Sequence, residues 1–329
     1  MKEVIKILSV ALICSRLTTP LWAQPVPVQQ YNEQQQNRLF QEPFKGFNAS
    51  TNAPELYPGE NEDVGPQAIL RLRAKRTLFE AVADTQYLYT DNNRLSEDHK
   101  IDTGLAINTV QFALAPSSYP IGPGQFSPRV GFRSQWYNYG LGAGRGEDVL
   151  DFNAQTVFAI AQYRYNQKWD FGVEFDYTRL LDQDHYNEFY TEFTPSLFAQ
   201  RIFSLNDRLL FAVSWQGMYH FTTVDPFPRS DVNDRLDNTL GLTLSYRVID
   251  DLVLQPFYRF QHTYYPETAF NTSRNDYLNI VGTAVSYYFT PQFAARVFVT
   301  GSFRESDDSH TSSYEKFDAG VGASFVLRF

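Results

Sequence analysis

The end of the chain constrains the fold more than any other part. Phe317, Ala319, Val321, Ala323, Phe325, Leu327 and Phe329 alternate with Asp318, Gly320, Gly322, Ser324, Val326 and Arg328. Strand side chains alternate between faces with period two, so this segment has one apolar, aromatic face and one small or charged face. The pattern recurs upstream. Trp169, Phe171, Val173, Phe175 and Tyr177 oppose Asp170, Gly172, Glu174 and Asp176, while Leu209, Phe211, Val213, Trp215 and Tyr219 oppose Ser214, Gln216, Met218 and His220. Leu240, Leu242, Leu244 and Tyr246 oppose Thr239, Gly241, Thr243, Ser245 and Arg247 in the same way.

About twelve such segments follow Arg76: 78–89, 102–115, 129–139, 152–165, 169–180, 190–203, 208–221, 239–248, 252–264, 276–289, 293–304 and 314–329. Each is near the roughly 9–11 residues that a tilted strand needs to cross a bilayer. Pro195 and Pro256 sit where a ladder donor is lost. Short turns near Asn166–Gln167, Leu205–Asn206, Asp250–Asp251 and Pro291 alternate with longer loops around 91–101, 140–151, 181–189, 222–238, 265–275 and 305–313. The segment Pro116–Pro128 is a longer turn than this alternation wants. A secreted soluble sandwich or propeller also shows period two, but explains neither the alternating loop lengths nor the aromatic last residue.

The final strand, with Phe325, Leu327 and Phe329 on its apolar face, resembles the signal that ends outer-membrane β-barrel proteins of Gram-negative bacteria. The resemblance implies an all-β transmembrane antiparallel barrel in the cell outer membrane; the segment count gives it about twelve strands, and the alternation of short turns and long loops puts both ends on the periplasmic side. Its partners would be outer-membrane lipids and the barrel-assembly machinery. It implies no activity by itself, because known twelve-stranded families include channels, a phospholipase and autotransporter translocators.

The other end fits that destination. Lys2 and Lys6 precede an apolar stretch from Ile5 to Ile13, and Ala23 precedes Gln24, so residues 1–23 read as a signal peptide. Cys14, the one cysteine, lies inside it, which leaves no disulfide and no thiolate ligand in the mature chain. Residues 24–76 are rich in Gln, Asn, Pro and Glu and read as a mostly disordered periplasmic arm with a short helix around Gln35–Gln41. It serves either as a linker or as a segment that enters the lumen or binds a periplasmic partner. The barrel proper is expected over 77–329. No later stretch approaches the 18 apolar residues of a membrane helix. With 21 Tyr and 28 Phe the chain has the aromatic content of a girdled barrel, and a net charge of -9 argues against nucleic acid.

Function then rests on the lumen. The alternation places Glu80, Asp84, Asp170, Glu174, Asp176, Glu192 and Asp318 inside, with Arg133, Arg247, Arg259, Arg296, Arg304 and Arg328. Pairing of the first and last strands is expected to bring Asp318 near Glu80 and Asp84. Mixed charge of this kind either locks the wall together or forms a selective eyelet for small polar or charged solutes. The expected function is a porin-like channel. The alternatives are a non-conducting anchor or receptor barrel working through external loops, and a loop-based hydrolase.

No enzymatic motif is strong. A phospholipase-like site needs a hydroxyl beside a histidine, and the nearest approximation is His220 with Thr222. Asp182–Gln183–Asp184 and Asp308–Ser309–His310 resemble the Asp–Asp and Asp–His elements of omptin-type outer-membrane proteases, although that barrel has ten strands. His99, His185, His220, His262 and His310 show no tight ligand spacing, so no metal or other cofactor is expected. Gly140, Gly142, Gly144 and Gly146 lack a βαβ context and read as an external loop.

Overall fold

The computed structural model describes residues 26–41, 78–116, 118–141, 150–166, 168–224, 229–230, 233–267, 273–308, 311 and 313–329. The expected signal peptide lies outside these residues. So does the arm from 42 to 77.

Twelve antiparallel strands close a barrel. They are β1 (Phe79–Thr90), β2 (Thr103–Leu114), β3 (Gly124–Asn138), β4 (Phe152–Tyr165), β5 (Trp169–Asp182) and β6 (Glu188–Asn206). The ring continues with β7 (Leu209–Val224), β8 (Arg235–Ile249), β9 (Leu252–Tyr265), β10 (Arg274–Tyr288), β11 (Phe293–Ser306) and β12 (Tyr314–Arg328). Each pairs with its sequence neighbour, and β12 returns to β1 with Glu80 opposite Arg328 and Thr90 opposite Asp318. Among the described residues, two short strands lie outside the ring. Arg229–Ser230 extends the β7 edge, and Tyr119–Ile121 pairs with the start of β3 through a turn at Gly122, whose φ is 56°. The long Pro116–Pro128 segment is therefore a small hairpin projecting from the end where the short turns lie.

The two strand prolines each open the ladder on one side only. The β6–β7 pairing skips Pro195, although Pro195 still faces Phe175 on β5. The β8–β9 pairing skips Pro256, which still faces Thr283 on β10. A missing N–H costs one neighbour, not both.

The outward face is apolar. Leu197, Leu240, Val281 and Val321 are exposed midway along their strands. Rings collect at the two rims: Phe79, Tyr165, Phe289 and Phe329 at the short-turn end, and Tyr89, Tyr177, Phe221 and Phe317 at the long-loop end. An exposed apolar band with aromatic girdles is what hydrocarbon and its interfaces demand, and water would not tolerate it. Phe329 completes the closure. Its carbonyl accepts the N–H groups of Leu78 and Phe79 at 3.0 and 2.9 Å, and its ring stacks on Phe79 at 5.8 Å.

A helix, α1 (Val26–Gln41), lies inside the barrel. It begins nine residues before the short helix expected around Gln35, and over this stretch the lumen-entering reading of the arm describes the chain and the linker reading does not.

Candidate functional site

Inward positions divide the lumen into two unlike halves. At the long-loop end, the wall from β1 to β5 is apolar, with Leu88, Leu105, Ile107, Tyr137, Phe152 and Leu180 all buried. The wall from β6 to β12 at the same level is mostly charged or polar, although Tyr190, Leu278 and Ile280 are also buried there. Helix α1 lies between the two walls and is matched to both.

Val28, Tyr31 and Gln35 fall on one helical face, while Gln29 and Glu33 fall on another, as spacings of three and four residues require. Val28 is buried in the apolar cluster, and the Tyr31 ring meets Tyr137 edge-on at 6.0 Å. The Tyr31 hydroxyl reaches Thr156 at 3.3 Å, and Gln35 donates to Tyr137 at 3.0 Å and to Gln135. Toward the charged wall, Glu33 Oε1 takes Lys316 Nζ at 3.0 Å and Ser302 Oγ at 2.9 Å, and Oε2 takes the Tyr314 hydroxyl at 3.2 Å. Arg304 donates to Gln29 at 3.3 Å. Gln34 donates to Asp318 at 3.4 Å, and Gln30 to the Asn93 carbonyl in the β1–β2 loop at 2.9 Å.

The charged wall also pairs within itself. His220 lies 3.2 Å from both Glu192 and Asp237, and Arg235 reaches the same carboxylates at 3.6 and 3.5 Å. Asp276 holds Arg304 at 2.5 Å and Arg274 at 3.2 Å. Such pairing is what buried charge requires. Arg259 differs: it is fully buried, and none of its three guanidinium nitrogens has a hydrogen-bond partner among the described residues.

Beneath α1, at the short-turn end, the lumen opens into a cavity of about 1060 Å³. Glu80, Asp84 and Glu174 line it together with Arg129, Arg133 and Arg247. Glu80 is held by Arg328 at 2.8 Å and Arg129 at 3.4 Å, and Asp84 by Arg296 at 3.1 Å. Asp170 pairs with Arg164 at 2.8 Å and Asp176 with Arg133 at 3.8 Å. Glu174 has no hydrogen bond or ion pair among the described residues.

The thirteen lumen residues that the alternation selects thus fall in two places. Glu80, Asp84, Arg133, Asp170, Glu174, Asp176, Arg247, Arg296 and Arg328 belong to the lower half or the middle, while Glu192, Arg259, Arg304 and Asp318 lie at the level of the helix. Asp318 does not approach Glu80 and Asp84. Antiparallel closure sets it opposite Thr90 at the far end of β1 and places Arg328 opposite Glu80 instead.

Other residues emerge only from the structure. Arg235 and Asp237 fall in what reads as the 222–238 loop, but β8 begins at Arg235 and carries both inward. Lys316 shares the face of Asp318, a signal present in the alternation itself. Glu33 and Tyr31 carried no lumen signal beyond their helical spacing.

The enzymatic motifs dissolve into structural roles where they are described. The Thr222 hydroxyl donates to Asp234 at 3.0 Å, and His220 is engaged by Glu192 and Asp237. Asp182 closes its own turn, accepting the N–H groups of His185 at 2.6 Å and Asn187 at 3.1 Å. Asp308 accepts the Thr311 hydroxyl at 3.0 Å, while Ser309 and His310 lie outside the described residues, as do Gly142, Gly144 and Gly146. In the same loop Asn275 donates twice to Asp307, and these bonds hold its carboxyl below the usual carboxylate range. Among the described residues no group of histidines and carboxylates is arranged to hold a metal ion.

No protein-family model matches the chain, and no curated protein matches it in sequence. Its fold is found among solved structures. An outer membrane channel from Pseudomonas putida F1 is similar over 76% of this chain and 96% of that one, with a TM-score of 0.52 and 16% identity. The KdgM porin in complex with disordered oligogalacturonate aligns over 74% of this chain and 98% of its own, with a TM-score of 0.39 and 12% identity. The transport unit of the autotransporter AIDA-I from Escherichia coli aligns over 78% and 92%, with a TM-score of 0.45 and 9% identity. The closed twelve-stranded ring, its apolar outer belt and the first of these likenesses define an outer-membrane β-barrel protein.

Proposed function

We propose that the protein is a porin-like channel for small polar or charged solutes, closed in its external half by α1. One observation carries this reading: the obstruction is a segment separate from the wall, above a charged cavity of about 1060 Å³. Most of the helix's polar contacts are single hydrogen bonds from glutamine or hydroxyl groups, which water can replace at little net cost of about 0.5–1.5 kcal/mol each. Removing the helix would leave a continuous passage between the two walls. The outer belt meets outer-membrane lipids, and the Phe325, Leu327 and Phe329 face is read by the assembly machinery.

Single-channel recording in planar bilayers tests the reading. The parent chain is expected to show a mostly closed record with rare openings, and a Tyr31→Ala, Glu33→Gln chain to show sustained conductance. Silence from both would favour the non-conducting anchor barrel. The interlocked Glu192, His220, Arg235 and Asp237 cluster is the observation on that side, because it stiffens a wall without leaving a free ligand group.

A further inference from the structure

We infer that the Glu33 carboxylate occupies a solute site: Lys316, Ser302, Tyr314 and Arg259 form a carboxylate-binding station on the β9, β11 and β12 wall, which the plug fills with its own acid. The inference rests on the channel reading. It adds to it the chemical class of solute, one bearing a carboxylate.

The station is built from wall residues alone. A primary ammonium and a hydroxyl converge on one oxygen at 3.0 and 2.9 Å, and a phenol reaches the other at 3.2 Å. All three groups are buried or nearly so: Lys316 meets Glu33 as an ion pair, and Ser302 and Tyr314 donate charge-assisted hydrogen bonds, which are about twice as strong as neutral ones. Helix anchoring alone would need no such set, since Tyr31, Gln30 and Gln35 already fix α1 elsewhere.

Arg259 supplies the second, independent observation. It is fully buried, has no hydrogen-bond partner among the described residues, and lies within electrostatic reach of Glu33, Tyr314 and Asp237. Arg235, Arg274 and Arg304 each have a carboxylate on the wall within ion-pair distance, and Lys316 keeps Asp318 at 3.2 Å. When α1 leaves, Arg259 alone among these has no wall carboxylate at that distance. A desolvated guanidinium beside a vacated three-donor cradle attracts an anion of the shape just removed.

Helix and solute then compete for one site, so a carboxylate must promote release of α1. The full chain with Val28→Cys in a Cys14→Ser background reports this through the rate of maleimide labelling, because Val28 is fully buried against the wall. Replacing chloride with gluconate at constant ionic strength is expected to raise the rate saturably, about elevenfold at ten times the dissociation constant. Glucose, of similar size and neutral, is expected to leave it unchanged. With Lys316→Gln added, the basal rate should rise and the gluconate response should vanish, whereas a residue that only anchors the helix would raise the basal rate and leave the response intact. Gln34→Cys serves as a second reporter should Val28→Cys fail to give a heat-modifiable barrel. Equal rates in gluconate and chloride at both positions, or a gluconate response surviving Lys316→Gln, would overturn the site. Labelling is read without conduction, so a silent bilayer would remove the channel reading while leaving this one to be judged by itself.

Discussion

The upper and lower halves of the lumen are made by the same twelve strands and differ in what fills them. In the lower half, acidic and basic residues pair across the wall around an open cavity, with apolar residues such as Val82, Phe158, Ile160 and Val253 set between them. In the upper half, the β1–β5 wall presents Leu88, Leu105, Ile107 and Phe152 to the interior, a surface that water would not cover favourably. A helix with Val28 and Tyr31 on one face and Glu33 on another completes that half. The continuous apolar wall of the upper half is thus covered by an internal occupant, which the charged wall opposite it also holds.

The contrast can be broken most decisively from the helix side. Tyr31→Ala with Glu33→Gln removes one contact to each wall, so the closed upper half should become as open as the lower, with conductance changing from rare openings to a sustained level. A bilayer record identical to the parent's would show that the halves do not differ in the way described.

Stability distinguishes the pairs next. Arg296→Ala takes the guanidinium from Asp84, a carboxylate that is almost fully buried, and should cost about 3–5 kcal/mol in denaturant unfolding of the detergent-solubilised barrel. Arg328→Ala touches a side chain that is half exposed, and Glu80 keeps Arg129, so its cost should stay below about 1 kcal/mol. Comparable losses from both would mean that the lower half is as dry as the upper.

The inner and outer faces of β5 separate in the same assay. Val173→Arg puts a charge into hydrocarbon and should cost about 2–4 kcal/mol near midplane, whereas Glu174→Arg points into the lumen cavity and should cost less. The reverse order would invert the facing of the strand. Deleting Phe329 removes the ring and the carbonyl that join β12 to β1, and should lower the yield of heat-modifiable barrel without affecting secretion.

The smallest effect concerns selectivity. Asp170 and Asp176 are paired with arginines, so Glu174 is the member of that acidic row whose field is least cancelled. In a conducting variant, Glu174→Gln should shift the reversal potential in a salt gradient toward anions, and Asp170→Asn should shift it less. Equal shifts would return the row to the collective role that the alternation alone suggests.

Much of this was legible in the residues. The β4 strand runs over the expected 152–165, and most other ends moved by only a few residues. The larger extensions, at the starts of β3 and β8, occur where Pro and charged residues mask the alternation. What stayed hidden was the broken alternation on β2. Leu105 and Ile107 are apolar and point inward, against the rule that the lumen face is polar, and the cluster they join includes Val28, more than seventy residues earlier in the chain. Gly320 shows the same dependence: a β-carbon there would lie 2.7 Å from the Phe298 ring, a contact set by the β11–β12 pairing and not by any local pattern.

The sequence by itself determined the strands, their facing, the even ring and the outer-membrane setting, because each strand meets hydrocarbon on one side and period two records that contact residue by residue. Only the tertiary structure decided which lumen charges meet, that Asp318 lies far from Glu80, and that α1 fills the upper half. Those depend on how antiparallel closure levels the strands against one another and on where a distant helix comes to rest, and both are fixed by contacts between residues far apart in the chain.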